Sequence, residues 1–314
     1  MSTSQKKILV TCPPMLGMID EFRPVFEAQN LELTAANVVQ TMGEEELIET
    51  VPNFHGWIIG DDPATASVLQ AGKNGLLEAI VKWGVGVDNV DFDAAQKLGI
   101  PASNTPGVFG REVADLAMNY VGGLARQSFY IDREIRANFA WPKPAGISLA
   151  EKTVALVGYG DIGRNVAKRL LAADMNVNVY DPFFEEVDGL AVKPVSWPDS
   201  LQDADFIVFT APLNPHTHHM FNHDTLNLVK KGVRIVNVGR GPVIEETALV
   251  KGMADGLIHS VGLDVFEEEP LPKNSPLRQY EQNIFGSHNG SNTSDAVRRV
   301  SLKAIDLIAG YLKS

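Results

Sequence analysis

The chain has 314 residues, of which 45% are hydrophobic and one is cysteine, and its formal net charge is -12, from 27 Lys+Arg against 39 Asp+Glu. Such a length calls for one large or two moderate domains with ample core, while a lone cysteine excludes an intrachain disulfide framework or a Cys-rich zinc site. The acidic balance argues against a nucleic-acid partner, which needs a concentrated basic surface, so an acidic substrate has to be met by basic groups local to its site.

The opening stretch, MSTSQKKILVTCPP, has only a short apolar run before polar and proline positions interrupt it. That is too short for a signal peptide or a membrane span, and no later apolar run is long enough to cross a bilayer. A cytoplasmic protein with no membrane partner is expected.

Short apolar segments at 7–10, 56–59 and 80–82 read as buried strands, with helical pieces at 44–50 and 91–98 between them. This is the βα pattern of a mostly parallel sheet. The run KWGVGVDNVD then sets two glycines just past a strand end, where a chain can turn tightly and offer exposed N–H groups.

PASNTPGVFG, from Pro101 to Gly110, reads as a crossing between domains, followed by a long apolar helix pattern from Arg111 to Arg126 that continues through Ile135. Pro142 and Pro144 end any helix there. A second, clearer βα series starts at Thr153, with strands expected at 154–157, 177–180, 206–210, 234–238, 261–265 and 283–285. Strands at those spacings suggest a doubly wound domain. The last segment, 294–312, has a near-helical apolar period and is expected to return to the first domain.

TVALVGYGDIGRNVAKRL carries Gly158, Gly160 and Gly163 in GxGxxG spacing between an apolar strand and an amphipathic helix. Gly158 permits the tight turn, Gly160 lets a pyrophosphate approach the backbone, and Gly163 allows the helix to sit close to the strand. Asp181, closing the next strand, is placed to accept hydrogen bonds from an adenosine ribose and to repel a 2′-phosphate. NAD is therefore favoured over NADP.

Two further segments end strands of this series. INVGRGPV places Arg240 after one, and GLDVFEEEPLP places Asp264 at another, followed by Glu267, Glu268 and Glu269. Near the C-terminus, SHNGSNT places His288 after a third. Ligands in doubly wound sheets bind outside the carboxyl ends of the strands, so these residues can converge although far apart in sequence.

With VGYGDIG and Asp181, NVGRG, DVFEEEP and the terminal histidine in this order, the sequence resembles the NAD-dependent D-isomer-specific 2-hydroxyacid dehydrogenases over nearly the whole chain. The resemblance implies an α/β fold of two Rossmann-like doubly wound domains. The NAD-binding domain, 105–287, is inserted into a discontinuous substrate-binding domain, 1–104 and 288–314. It also implies an Arg–Glu–His site of Arg240, Glu269 and His288. Preferring Glu269 to Glu267 or Glu268 rests on its place directly before Pro270.

The same resemblance assigns cofactor contacts to Gly158, Tyr159, Gly160, Asp161, Ile162, Gly163 and Asp181. It adds Thr105, Thr210, Ala211, Pro212 and Val238, and gives Asp264 to the nicotinamide carboxamide. Substrate binding falls to Arg240, His288 and the backbone N–H groups of Val85 and Gly86, with Lys82 adding positive potential.

The expected reaction is reversible hydride transfer between NAD(H) and a small anionic 2-keto or 2-hydroxy acid pair. Glyoxylate or hydroxypyruvate is the expected substrate, with D-3-phosphoglycerate and a non-catalytic NAD-responsive protein as alternatives. A histidine serves as acid in reduction and base in oxidation near neutral pH. The family resemblance also implies a homodimer, and the sequence holds nothing after Ser314 to match the C-terminal regulatory domain of some phosphoglycerate dehydrogenases. The family's usual proline before the histidine and small apolar residue after it are here Ser287 and Asn289. The segment PLNPHTHHMFNHD, with His216, His218, His219 and His223, reads as a solvated loop and not as a metal site, because it is a polar stretch between a strand and a helix pattern with no obvious carboxylate second shell.

Overall fold

The computed structural model describes residues 5–313. The chain divides into two compact units, one of Met1–Phe109 with Asn292–Ser314 and the other of Gly110–Ser291. Both are α/β, with every strand pairing parallel. The division falls a few residues C-terminal to the boundaries read from the sequence. Local bonding accounts for both offsets: Val108 accepts a hydrogen bond from Arg299, and the backbone from His288 to Gly290 is bonded to Asp264.

The discontinuous unit runs β1 (Lys6–Val10), α1 (Pro13–Leu16), α2 (Ile19–Ala28), β2 (Leu31–Ala35), α3 (Glu44–Thr50), β3 (Gly56–Ile59), α4 (Ala66–Asn74), β4 (Ala79–Lys82), α5 (Phe92–Lys97) and β5 (Ala102–Asn104). Its sheet order is β2-β1-β3-β4-β5. The central strands β3 and β4 are buried along their whole length, apolar except for Lys82 at the end of β4, as strands of a parallel sheet covered on both faces must be. A helix at Ser294–Lys313 completes this unit: a Cβ at Gly56 would stand 2.9 Å from Ile308 Cγ1, and Trp83 Nε1 donates to Ser301 Oγ at 3.1 Å. Where the sequence reads only as a crossing, residues 102–104 form the edge strand β5, paired with β4 from Ile80↔Ala102 to Lys82↔Asn104.

The continuous unit opens with α6 (Gly110–Arg126) and α7 (Ser128–Asn138), which the sequence reads as one helix. They part at Gln127, whose φ of 53° is left-handed. There follow β6 (Thr153–Val157), α8 (Asp161–Ala172), β7 (Asn176–Tyr180), β8 (Lys193–Pro194), β9 (Phe206–Phe209), α9 (His223–Leu226), β10 (Val233–Asn237), α10 (Glu246–Ala254), β11 (Ile258–Leu263) and β12 (Ile284–Phe285). The order is β12-β11-β10-β9-β6-β7-β8, one strand more than expected, because the short exposed β8 pairs with β7. Strand order reverses between β6 and β9, which opens a crevice at their carboxyl ends where such sheets receive ligands. Among the described residues no helix is long and apolar enough to cross a membrane.

Candidate active site

At the β6–α8 turn each glycine meets a different demand. Gly158 has φ +93° and lies so close to the end of β9 that a Cβ would come within 2.7 Å of the Ala211 nitrogen. A Cβ on Gly163 would stand 2.1 Å from the Gly158 carbonyl oxygen, so only glycine lets α8 approach the strand this closely. Around Gly160, by contrast, a Cβ would meet nothing within 4 Å. Gly160 is also the N-cap of α8 and supplies no side-chain cap to the first helical N–H groups. Open space before uncapped helix N–H groups fits a pyrophosphate, so the residues present suit a dinucleotide.

Thr210 donates from Oγ1 to the carbonyls of Val157 and Gly158 at 3.1 and 2.9 Å, holding the turn from β9. Asp181 accepts from Tyr159 N–H at 2.6 Å and from Phe183 N–H at 2.8 Å, one on each carboxylate oxygen. The next side chains are apolar Phe183 and Phe184 and then acidic Glu185 and Glu186, and Arg164 is paired with Glu185 at 3.2 Å. Acidic groups in this position disfavour a 2′-phosphate. Ala211 and Val238 are buried at the ends of β9 and β10, where Val238 N–H donates to Phe209 at 3.1 Å.

Beyond β11 and β12 the sequence-predicted groups meet. His288 Nδ1 lies 2.8 Å from Glu269 Oε2, and both side chains are about three-quarters shielded, at 24% exposure each. Glu269 is fixed in turn by Phe266 N–H, which donates to its Oε1 at 3.0 Å. Of the three carboxylates in EEEP, it is Glu269 that faces the imidazole. Glu267 turns instead to His219, at 2.5 Å. With a carboxylate on Nδ1, that nitrogen carries the ring proton, because an ionised carboxylate only accepts.

The loop presenting His288 hangs on Asp264. Its carbonyl accepts from His288 N–H at 2.7 Å, and its carboxylate accepts from Asn289 N–H at 3.1 Å and Gly290 N–H at 2.8 Å. These bonds hold His288 in a left-handed conformation with φ 53°. Arg240 leaves the end of β10 through a backbone packed tightly on both sides. A Cβ on Gly239 would meet Ala211 O at 2.7 Å, and one on Gly241 would meet Phe266 O at 1.8 Å. The Arg240 carbonyl accepts from Asn237 Nδ2 at 2.9 Å. An acid–base pair and a planar cation are thus presented from loops at the carboxyl ends of neighbouring strands of one sheet.

A family model for the D-isomer specific 2-hydroxyacid dehydrogenase NAD-binding domain matches residues 118–290. The chain is 35% identical to hydroxypyruvate reductase from Thermotoga maritima over 89% of its own length and 90% of that protein's. The chain belongs to the D-isomer-specific 2-hydroxyacid dehydrogenase family. It is also 37% identical to D-3-phosphoglycerate dehydrogenase 2 from Arabidopsis thaliana, covering 94% of this chain but only 50% of that one. A glyoxylate reductase structure from Paecilomyes thermophila superposes with a TM-score of 0.80 at 26% identity, over 97% of this chain and 94% of that one. This dehydrogenase therefore carries the NAD-binding domain of its family and belongs to a class of NAD-dependent oxidoreductases of 2-hydroxy and 2-keto acids.

Three expected site residues stand differently in the dehydrogenase. Lys82 is 3% exposed, and its ammonium donates to Gly60 O at 2.5 Å and pairs with Asp61 at 3.0 Å, so its charge is spent inside its own unit. Thr105 is fully buried in that unit; its hydroxyl accepts from Gly84 N–H at 2.7 Å and thereby shapes the start of the Val85–Gly86 loop. Asp264 gives its carboxylate to the His288 loop and accepts from Tyr120 Oη at 3.4 Å. The histidine-rich segment also differs from its sequence reading. Carboxylates do reach it, Glu267 to His219 and Glu245 to His223 at 3.7 Å, yet among the described residues no group of three or more His, Cys, Asp or Glu is arranged to hold a metal ion.

Burial pushes the Asp264 carboxyl above the usual carboxylate range, against the opposing pull of the Asn289 and Gly290 N–H donors and of His288. A carboxyl raised by folding contributes stability that is fully present below its unfolded pKa and is lost as pH rises through the folded one. The Asp264→Asn variant lacks that contribution, so the Tm gap between the natural protein and the variant is expected to narrow as pH rises from about 4 toward neutral. Differential scanning fluorimetry across that range checks it; a gap that widens refutes the assignment.

Proposed function

We propose that this dehydrogenase reduces a small unphosphorylated 2-keto acid, glyoxylate or hydroxypyruvate, to the D-2-hydroxy acid with NADH. The contact between His288 Nδ1 and Glu269 carries the reading, because it orients the ring and favours the imidazolium, the acid that reduction requires. His288 then gives its Nε2 proton to the nascent hydroxyl oxygen in reduction and takes it back in oxidation. Arg240 binds the substrate carboxylate and polarises the C2 carbonyl through its fork of N–H donors.

Gly158 to Gly163 seat the dinucleotide phosphates, and Asp181 selects NAD. Thr105 and Asp264 then act by shaping the loops that carry Gly84 and His288. Bound NADH supplies the hydride. One observation favours an unphosphorylated substrate: the Lys82 ammonium is already engaged by Asp61 and by the Gly60 carbonyl. We also propose a homodimer, with α7 and the exposed Phe139 and Trp141 beyond it as its contact.

NADH oxidation followed with glyoxylate, hydroxypyruvate, pyruvate and 3-phosphohydroxypyruvate, repeated with NADPH, tests this directly. The highest kcat/KM is expected with glyoxylate or hydroxypyruvate, and with NADH. Preference for the phosphorylated acid would replace the substrate assignment with 3-phosphoglycerate. NADH binding without turnover of any 2-keto acid would show a sensor and end the enzymatic reading.

A further inference from the structure

We propose that His219 and Glu267 form a bracket that holds the Arg240 loop and the Glu269 loop in register, making His219 a positioning residue for the reaction. The inference rests on the catalytic reading of Arg240, Glu269 and His288 given above. Three segments distant in sequence meet at this pair. His219 N–H donates to the carbonyl of Pro242, two residues past Arg240, at 2.8 Å, while its ring nitrogen Nε2 stands 2.5 Å from Glu267 Oε1, two residues before Glu269. One residue thus touches both loops, with its backbone on one and its side chain on the other.

Glu267 extends the bracket. Its second oxygen accepts from Glu246 N–H at 2.9 Å, and its own N–H donates to Glu246 Oε1 at 2.8 Å. This closes a reciprocal pair at the start of α10, whose N-cap Glu245 makes no side-chain cap. Between the loops, a Cβ on Gly241 would overlap the Phe266 carbonyl at 1.8 Å and approach Glu267 N at 2.6 Å, so a shift of either backbone is transmitted to the other. Asn222 Nδ2 donates to His219 O at 3.1 Å, anchoring the turn, and the His218 ring stacks on the His219 ring with centroids 3.9 Å apart.

His219 is held in the left-handed region, with φ 49°, a conformation an L residue adopts when its surroundings over-determine it. The pair is only about two-thirds shielded, 35% and 31% exposed, so it satisfies no deeply buried group. Its evident consequence is the relative placement of two loops, each carrying a residue assigned to chemistry.

The test uses His219→Gly, which suits the left-handed backbone while deleting the ring, and His219→Gln, whose amide nitrogen restores a donor near Nε2. His219→Gly is expected to lower kcat about tenfold or more, since small misplacements of reacting groups are costly, with NADH binding unchanged; His219→Gln is expected to restore most of it. Combining His219→Gly with Glu267→Gln should cost little beyond either alone, because both remove one contact. The downfield Nδ1–H proton resonance of His288, assigned by its absence in His288→Asn, should broaden or vanish in His219→Gly.

Unchanged kcat in His219→Gly, or a loss that takes NADH binding with it and is not rescued by Gln, overturns the proposal. An unaltered His288 proton signal overturns it independently of turnover. If His288→Asn itself retains full activity, the catalytic reading fails, and the proton signal still reports whether the bracket orders the Glu269–His288 pair.

Discussion

Replacing His288 is expected to lower kcat/KM for keto-acid reduction by about 10³-fold, the range a positioned general acid supplies, with NADH binding intact. Asparagine is the sharper substitution. His288 has φ 53°, and asparagine tolerates that left-handed backbone where alanine is strained. The loop bonds to Asp264 come from the backbone N–H groups of His288 and Gly290 and survive the change. What is lost is the ring facing Glu269 at 2.8 Å. Glu269→Gln keeps the side-chain volume and removes the charge that favours the imidazolium, so its loss in kcat should be smaller and should grow as pH rises. Steady-state rates between pH 6 and 9, with NADH affinity read by fluorescence, check both expectations. Turnover in His288→Asn comparable to the natural protein would remove the histidine from proton transfer.

The parts of this architecture that were readable from the chain are those set by local pattern. GxGxxG between an apolar strand and an amphipathic helix is a local device, and the structure shows the packing each glycine relieves. The buried strands β3 and β9 are continuous apolar runs, and β4, β6 and β10 are mostly apolar with one or two polar positions, which periodicity finds. Edge strands leave a weaker mark: β2 is buried fully only at Leu31, β5 sits inside a proline- and glycine-rich stretch, and both residues of β8 are exposed. No glycine or proline announces the break at Gln127 between α6 and α7; tertiary context imposes its left-handed turn.

At the site, the order of motifs picks out Arg240, Glu269 and His288; among three adjacent glutamates the sequence prefers Glu269 only by the family motif, through its place before Pro270, and it is Glu269 that faces His288. Charge accounting was the least legible part. Lys82 reads as an available cation until Asp61 and the Gly60 carbonyl are seen on its ammonium. Likewise His219 reads as one of several loop histidines, since the Glu267 that meets it lies 48 residues away. Pairings of that range depend on strand order, which one sequence does not display.

Arg240→Ala is expected to cost kcat/KM about 10³-fold or more, and Arg240→Lys to recover only a part of it, because an ammonium is a point charge without the planar fork that grips a carboxylate and its neighbouring oxygen together. The backbone there leaves no slack. Gly239 and Gly241 are packed so tightly against Ala211 and Phe266 that a substitution at 240 changes the side chain without relaxing the loop. The guanidinium donates from Nη1 to Gly239 O at 3.0 Å, which ties it to the same tightly packed turn. A residue that binds substrate and also polarises its carbonyl should show losses in both KM and kcat. Exogenous guanidinium added to Arg240→Ala should restore part of kcat, whereas ammonium at the same concentration should restore less. Equal rescue by the two ions would reduce Arg240 to a source of charge, and wild-type kinetics in Arg240→Lys would rule out the bidentate contact.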